Sequence, residues 1–166
     1  MRRRVRGLVT LGVLWMVVGC TIEQRTDREP QTSQSTRRQV IQPEGVARLP
    51  VFSSAIRSGD LIFLSGQLGA LPGVTPPQLV EGGVEPETRQ TMENIITVLD
   101  AAGATLDDLI KCTVFLADIA DYAAVNTVYQ EYFPNDPPAR SALAGSGLAL
   151  GALVEIECIA AAPSGG

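Results

Sequence analysis

Residues 86–117, PETRQTMENIITVLDAAGATLDDLIKCTVFLA, leave this chain few ways to fold. Pro86 suits the first turn of a helix, where its missing N–H costs nothing. Met92, Ile95, Ile96, Leu99 and Ala102 then recur at helical spacing on one face. Gly103 is a natural stop. Thr105 and Asp108 are spaced to cap a short turn. The β-branched apolar run 109–117 follows at once and reads as a strand. A one-sided helix passed by a tight turn to an apolar strand must lie on the sheet that the strand joins.

The rest of the chain extends that pattern. RQVIQ (38–42) is a possible edge strand, and DLIFLSG (60–66) is a buried strand ended by glycine. An additional strand is expected near 50–57. The Pro- and Gly-rich stretch 71–83 is a loop. A second helix is expected over 121–133, with Tyr122, Val125, Tyr129 and Tyr132 as its core stripe and Pro134 as its stop. Strands at 141–144 and 153–160 close the chain. In the last, LVEIECIA, Glu155, Glu157 and Ile159 alternate with Val154, Ile156 and Cys158. The order β-β-α-β-α-β-β predicts an α+β domain with a single mixed sheet and both helices on one face.

The N-terminus differs in kind. MRRRVR precedes an apolar run too short to span a bilayer, the layout of a secretory signal over residues 1–19. An uncleaved anchor helix is the alternative. Val17-Val18-Gly19-Cys20 resembles a bacterial lipobox, which implies lipidation at Cys20 and a protein anchored by acyl chains in the cell envelope, outside the cytoplasm. Residues 20–37 are polar and aperiodic, a flexible tether. The folded domain is expected over 38–162, with a disordered tail at 163–166.

Composition narrows the chemistry. Without residues 1–19, nine basic residues stand against 18 acidic ones, which argues against a nucleic-acid partner. The absence of histidine removes the commonest metal ligand and general base, so no metal centre is expected. Cys112 and Cys158 lie in apolar runs and read as buried free thiols. A disulfide between them is the open alternative, because sequence does not reveal their separation.

LIFLSGQLG, the stretch from TRQTMENIITVLDAAG through DYAAVNTVYQEYF, PPARSALA and ALVEIECIA together resemble the RidA (YjgF/UK114) family, in the same order and at nearly the same spacing. The resemblance implies a chorismate-mutase-like α+β fold, a homotrimer with clefts between subunits, and hydrolysis of small 2-imino and 2-enamino acids, such as 2-aminoacrylate, to 2-oxo acids and ammonia. No cofactor is implied. Arg140 falls on the family's carboxylate-binding arginine, and a guanidinium grips a carboxylate through paired N–H groups. Ala142 stands where relatives often carry cysteine, and its backbone groups would meet the substrate nitrogen. Glu155 matches the glutamate that orients water and handles protons. Ser65 and Gly66 match a strand-end pair lining the cleft, and Asn126 matches an asparagine of the second helix. Phe52 replaces a frequent tyrosine, so a hydroxyl is missing there. The competing reading is a lipid-tethered trimer that binds small carboxylates without turning them over.

Overall fold

The computed structural model describes residues 38–44, 46, 48 and 50–163. The expected signal segment, Cys20, the tether through residue 37 and residues 164–166 of the tail lie outside the described residues.

Helix α1 (Val84–Ala101) starts within two residues of the expected proline position. It ends where Gly103 takes a positive φ of 71° and donates its N–H to Asp100 O. That left-handed conformation carries no Cβ penalty at glycine. The Asp108 carboxylate accepts from the Thr105 N–H (2.8 Å) and hydroxyl (3.1 Å), closing the expected cap before β4 (Leu109–Leu116). The buried stripe of α1 is Met92, Ile95, Val98 and Leu99. Ile96 and Ala102 are only half-buried, and Val98 replaces them, because the helix packs on both the sheet and α2 (Tyr122–Tyr132).

The remaining strands are β1 (Gln39–Ile41), β2 (Ala55–Ser58), β3 (Leu61–Leu68), β5 (Ala139–Ala144) and β6 (Val154–Ala161). The sheet order is β1-β2-β3-β6-β4-β5. β6 runs antiparallel to both β3 and β4, so these two run the same way with β6 inserted between them. β4 and β5 are parallel neighbours joined through α2. The result is a split β-α-β unit extended by a β-α-β crossover, with both helices on one face as expected. Ile62, Leu64, Val114, Leu116, Val154 and Ile156 point into that face and meet α1 and α2. Each such side chain contributes roughly 1.5–3 kcal/mol through burial.

Directly paired residues share a face, so the register reads as rows across the sheet. One row is Leu64, Cys158, Cys112 and Arg140 on the helix side. Another is Leu68, Glu155, Phe115 and Leu143 on the opposite, uncovered side. The first row corrects the free-thiol reading. Cys112 and Cys158 stand opposite each other with Cα atoms 4.1 Å apart and form a disulfide. Closely spaced antiparallel pairs bring facing side chains into bonding range, and strand register cannot be read from sequence spacing.

Candidate functional site

Arg140 sits on β5, an edge strand entered through Pro137 and Pro138. Its row position turns the side chain toward α2, which presents Tyr122, Asn126 and Tyr129 at i, i+4 and i+7, on one helix face. Arg140 Nη2 donates to Asn126 Oδ1 (2.5 Å) and to the Tyr122 hydroxyl oxygen (3.3 Å). The guanidinium carbon lies 4.7 Å from the Tyr129 ring centroid and 5.7 Å from that of Tyr122. Cation–ring contacts of this kind contribute about 0.5–2 kcal/mol. Among the described residues no carboxylate pairs with Arg140, and its Nε and Nη1 donors have no protein acceptor. The cation is therefore braced by neutral groups and keeps donors for an anion.

Beside it lies a cavity of ≈ 250 Å³ lined by Asn126, Tyr129, Gln130, Phe133, Pro137, Pro138 and Arg140. Tyr129 is 4 % exposed, and its hydroxyl has no partner among the described residues. Burial pushes its phenol up to about 12, against the opposing pull of Arg140. The placement of Tyr122 corrects the expected all-core stripe. Tyr122 is 41 % exposed, while Tyr129 is buried with the guanidinium over its ring.

Ala142 is two residues along the same edge strand. The Gly145 N–H donates inward to Leu116 O on β4. By the period-two alternation of a strand, the N–H groups of Leu143 and Ser141 also turn to β4, and those of Arg140 and Ala142 turn to the open edge. Both backbone groups of Ala142 thus face outward beside Arg140, with no partner strand there.

Glu155 occupies the uncovered face. The register of β3 against β6 shifts between Leu64 and Gln67, so Ser65 and Gly66 together oppose one residue of β6. Such a bulge re-aims side chains locally. The Glu155 carboxylate lies against Gly66, where an added Cβ would stand 1.9 Å from Oε1. Burial, and then the neighbouring Glu157, raise the Glu155 pKa above its ordinary value. The Ser65 hydroxyl donates to Ser53 O at 2.7 Å, so its proton is engaged and its lone pairs remain.

The expected site residues therefore form two clusters in one chain. Arg140, Asn126 and Ala142 gather on the helix side and outer edge at β5. Glu155, Gly66 and Ser65 gather on the uncovered face at the β3–β6 seam. Arg140 and Glu155 are separated by β4, roughly 10 Å across and roughly 10 Å along the strands, and point to opposite faces. An ion pair between them within one chain is excluded. Phe52, 51 % exposed, precedes β2 and adjoins Ser53, whose carbonyl accepts from the Ser65 hydroxyl. Tyr122 and Tyr129 were not expected at the site. Their i, i+4, i+7 spacing with Asn126 is the signal that would have found them.

The fold and these clusters define an α+β protein that presents an unpaired arginine at a sheet edge and a partly desolvated glutamate on an open sheet face. It belongs to the RidA family. The family model described as Endoribonuclease L-PSP matches residues 45–162. The chain is 40 % identical to Reactive Intermediate Deaminase A, chloroplastic, of Arabidopsis thaliana over 130 residues, 78 % of this chain and 68 % of that protein. It is 42 % identical to 2-iminobutanoate/2-iminopropanoate deaminase of Capra hircus over 128 residues, 77 % of this chain and 92 % of that protein. The crystal structure of RidA from an Antarctic Psychrobacter superposes with a TM-score of 0.68 at 35 % identity, covering 74 % of this chain and 98 % of that one. These findings also correct the envelope placement. The Arabidopsis relative is named for the chloroplast, and among the described residues no helix is long and apolar enough to cross a membrane.

Proposed function

We propose that this protein hydrolyses small 2-imino and 2-enamino acids to 2-oxo acids and ammonia, at clefts formed between copies of the chain. The observation that carries this reading is the Arg140 guanidinium, braced by Tyr129 and Asn126, unpaired with any described carboxylate and open toward a cavity. The deaminase names of the relatives support it. The word endoribonuclease in the family description is not carried over, because a chain of net charge −5 without histidine suits neither RNA binding nor the usual acid–base pair of RNA cleavage.

Arg140 holds the substrate carboxylate, and the outward backbone groups of Ala142 meet the nitrogen. The enamine tautomerises to its imine, water adds at C2, and the C2–N bond breaks to release ammonia. Glu155, whose pKa burial raises above the ordinary carboxylate value, orients the water and accepts and returns its protons. Gly66 leaves room for that carboxylate. Ser65 contributes lone pairs to the water, and Phe52 contributes a wall without a hydroxyl. No step calls for a metal or an organic cofactor.

Arg140 and Glu155 on opposite faces require two chains for one site. The β5 edge of one copy meets the uncovered face of the next, where Phe63 (42 % exposed) and Leu143 (47 % exposed) would otherwise remain in water. A heterologous contact of this kind makes a closed ring when its rotation closes, and the family resemblance implies a homotrimer.

The test uses an imine generated in situ by an amino-acid oxidase, with release of 2-oxo acid followed against buffer. The wild type accelerates release, and Arg140→Ala and Glu155→Ala do not. Co-expression of the two variants in equal amounts restores about a quarter of the sites, because each needs an intact Arg140 from one copy and an intact Glu155 from its neighbour. Equal rates for wild type and Arg140→Ala overturn the reading. If Glu155→Ala alone abolishes turnover with ligand affinity intact, pure binding is excluded.

A further inference from the structure

We infer that Tyr122 is a further substrate-contacting residue, whose hydroxyl stands beside Nη2 of Arg140 and gives its own proton to the substrate carboxylate that Arg140 holds. The inference rests on the deaminase reading and adds a donor to it.

A guanidinium holds a carboxylate by two parallel N–H groups along one of two edges, Nε with Nη2 or Nη1 with Nη2. Nη2 belongs to both. In this structure Nη2 is the atom that donates to Tyr122, at 3.3 Å, and to Asn126. Nη2 carries two hydrogens and both are engaged, so a two-point grip must take one over; the longer bond, to Tyr122, yields first, and a carboxylate oxygen then lies alongside the Tyr122 hydroxyl.

That hydroxyl has capacity to spare. A phenol carries one donor and acceptor lone pairs, and here one lone pair receives Arg140. Its proton has no acceptor among the described residues. Asn126 and then Arg140 hold the phenol below its ordinary pKa, which makes it a better hydrogen-bond donor. Tyr122 is 41 % exposed, and the guanidinium carbon lies 5.7 Å from its ring centroid, so a ligand from solvent can reach the side chain beside Arg140. Asn126 accepts from Arg140 through Oδ1, and its side chain is also the first influence on the Tyr122 phenol.

The experiment measures binding of 2-oxobutanoate, an inert product, by calorimetry, together with kcat and KM on the oxidase-generated imine. Wild type, Tyr122→Phe and Arg140→Ala are compared. Tyr122→Phe keeps the ring and removes one oxygen from an exposed position, so folding is not at issue. Its expected effect is a Kd weaker by roughly five- to tenfold, with KM rising in parallel and the larger share of the loss in kcat/KM carried by KM. If Tyr122→Phe binds and turns over like wild type while Arg140→Ala fails to bind, the Tyr122 inference is overturned and the deaminase reading stands. A Tyr122→Phe loss confined to kcat with unchanged Kd also overturns it. If the wild type neither binds nor turns over, both readings fall.

Discussion

Glu155 occupies the space that a side chain on Gly66 would need. A Cβ at Gly66 would stand 1.9 Å from Glu155 Oε1 and 2.8 Å from Cδ. The atoms in the way are the far end of a side chain that can rotate aside. Gly66→Ala is therefore expected to cost little stability, below about 1 kcal/mol, and to swing the carboxylate out of position. Turnover should fall by roughly tenfold to a hundredfold, the scale of a displacement near 1 Å at a reacting group. Parallel unfolding and turnover assays check this, and an active Gly66→Ala would show that Glu155 has no fixed place in the reaction.

Gly69 gives the opposite outcome on the same strand end. Its added Cβ would lie 2.7 Å from the Glu87 carbonyl oxygen and 3.0 Å from the Glu87 Cα, which belong to the backbone of α1 and cannot rotate away. Gly69→Ala is expected to destabilise the fold by about 1–3 kcal/mol, with kcat per folded molecule changed far less than in Gly66→Ala. Urea unfolding with turnover normalised to folded protein separates the two variants.

Glu87 itself is 4 % exposed and accepts from the N–H groups of Leu153 (2.8 Å) and Val154 (3.4 Å), where β6 begins. Removing the acceptor leaves buried donors unpaired. Glu87→Ala should cost about 1–3 kcal/mol, while Glu87→Gln, which keeps an acceptor oxygen, should recover most of that loss. Amide exchange at Leu153 and Val154 checks the mechanism, because both should lose protection in the alanine variant only.

The raised pKa of Glu155 carries a sign for stability. Its folded value lies above the ordinary 4.5, through burial first and Glu157 second. The folded chain then binds more protons than the unfolded one between 4.5 and the raised value. The stabilisation from this group is full below about 4.5 and is lost as pH rises through the folded pKa. Subtracting the unfolding free energy of Glu155→Gln from that of wild type across pH 4–8 isolates the effect. The difference should fall with pH through that window, and a flat or rising difference would contradict the assignment.

Much of this architecture is legible in residue spacing because it depends on short-range physics. Gly103 ends α1, Thr105 and Asp108 cap the next turn, and LVEIECIA alternates buried and open residues, all as the local pattern predicts. The relations that matter for the site are long-range. Nothing in the spacing of Arg140 and Glu155 reveals that β4 lies between their strands, or that register puts them on opposite faces. The bulge at Ser65 and Gly66 likewise appears only once β6 is laid beside β3. Tyr122 and Tyr129 fit the apolar period of α2, and that period does not show that Arg140 arrives over their rings from another strand. Family resemblance supplied Arg140 and Glu155, whereas only the sheet topology shows that one chain cannot bring them together.

The disulfide rests on the same kind of long-range pairing. Cys112 and Cys158, separated by 46 residues, join the neighbouring strands β4 and β6 and are 1 % and 3 % exposed. Closing a loop of that length restricts the unfolded chain and stabilises the folded one by about 2–4 kcal/mol. Burial also keeps reductants from the bond until the sheet opens. Dithiothreitol should therefore leave the native protein oxidised, and should reduce it quickly once denaturant unfolds it. The reduced chain should then refold with a stability lower by the same margin. Site-resolved alkylation of the unfolded, unreduced chain should spare Cys112 and Cys158. Labelling of both would restore the free-thiol reading and remove the staple between β4 and β6.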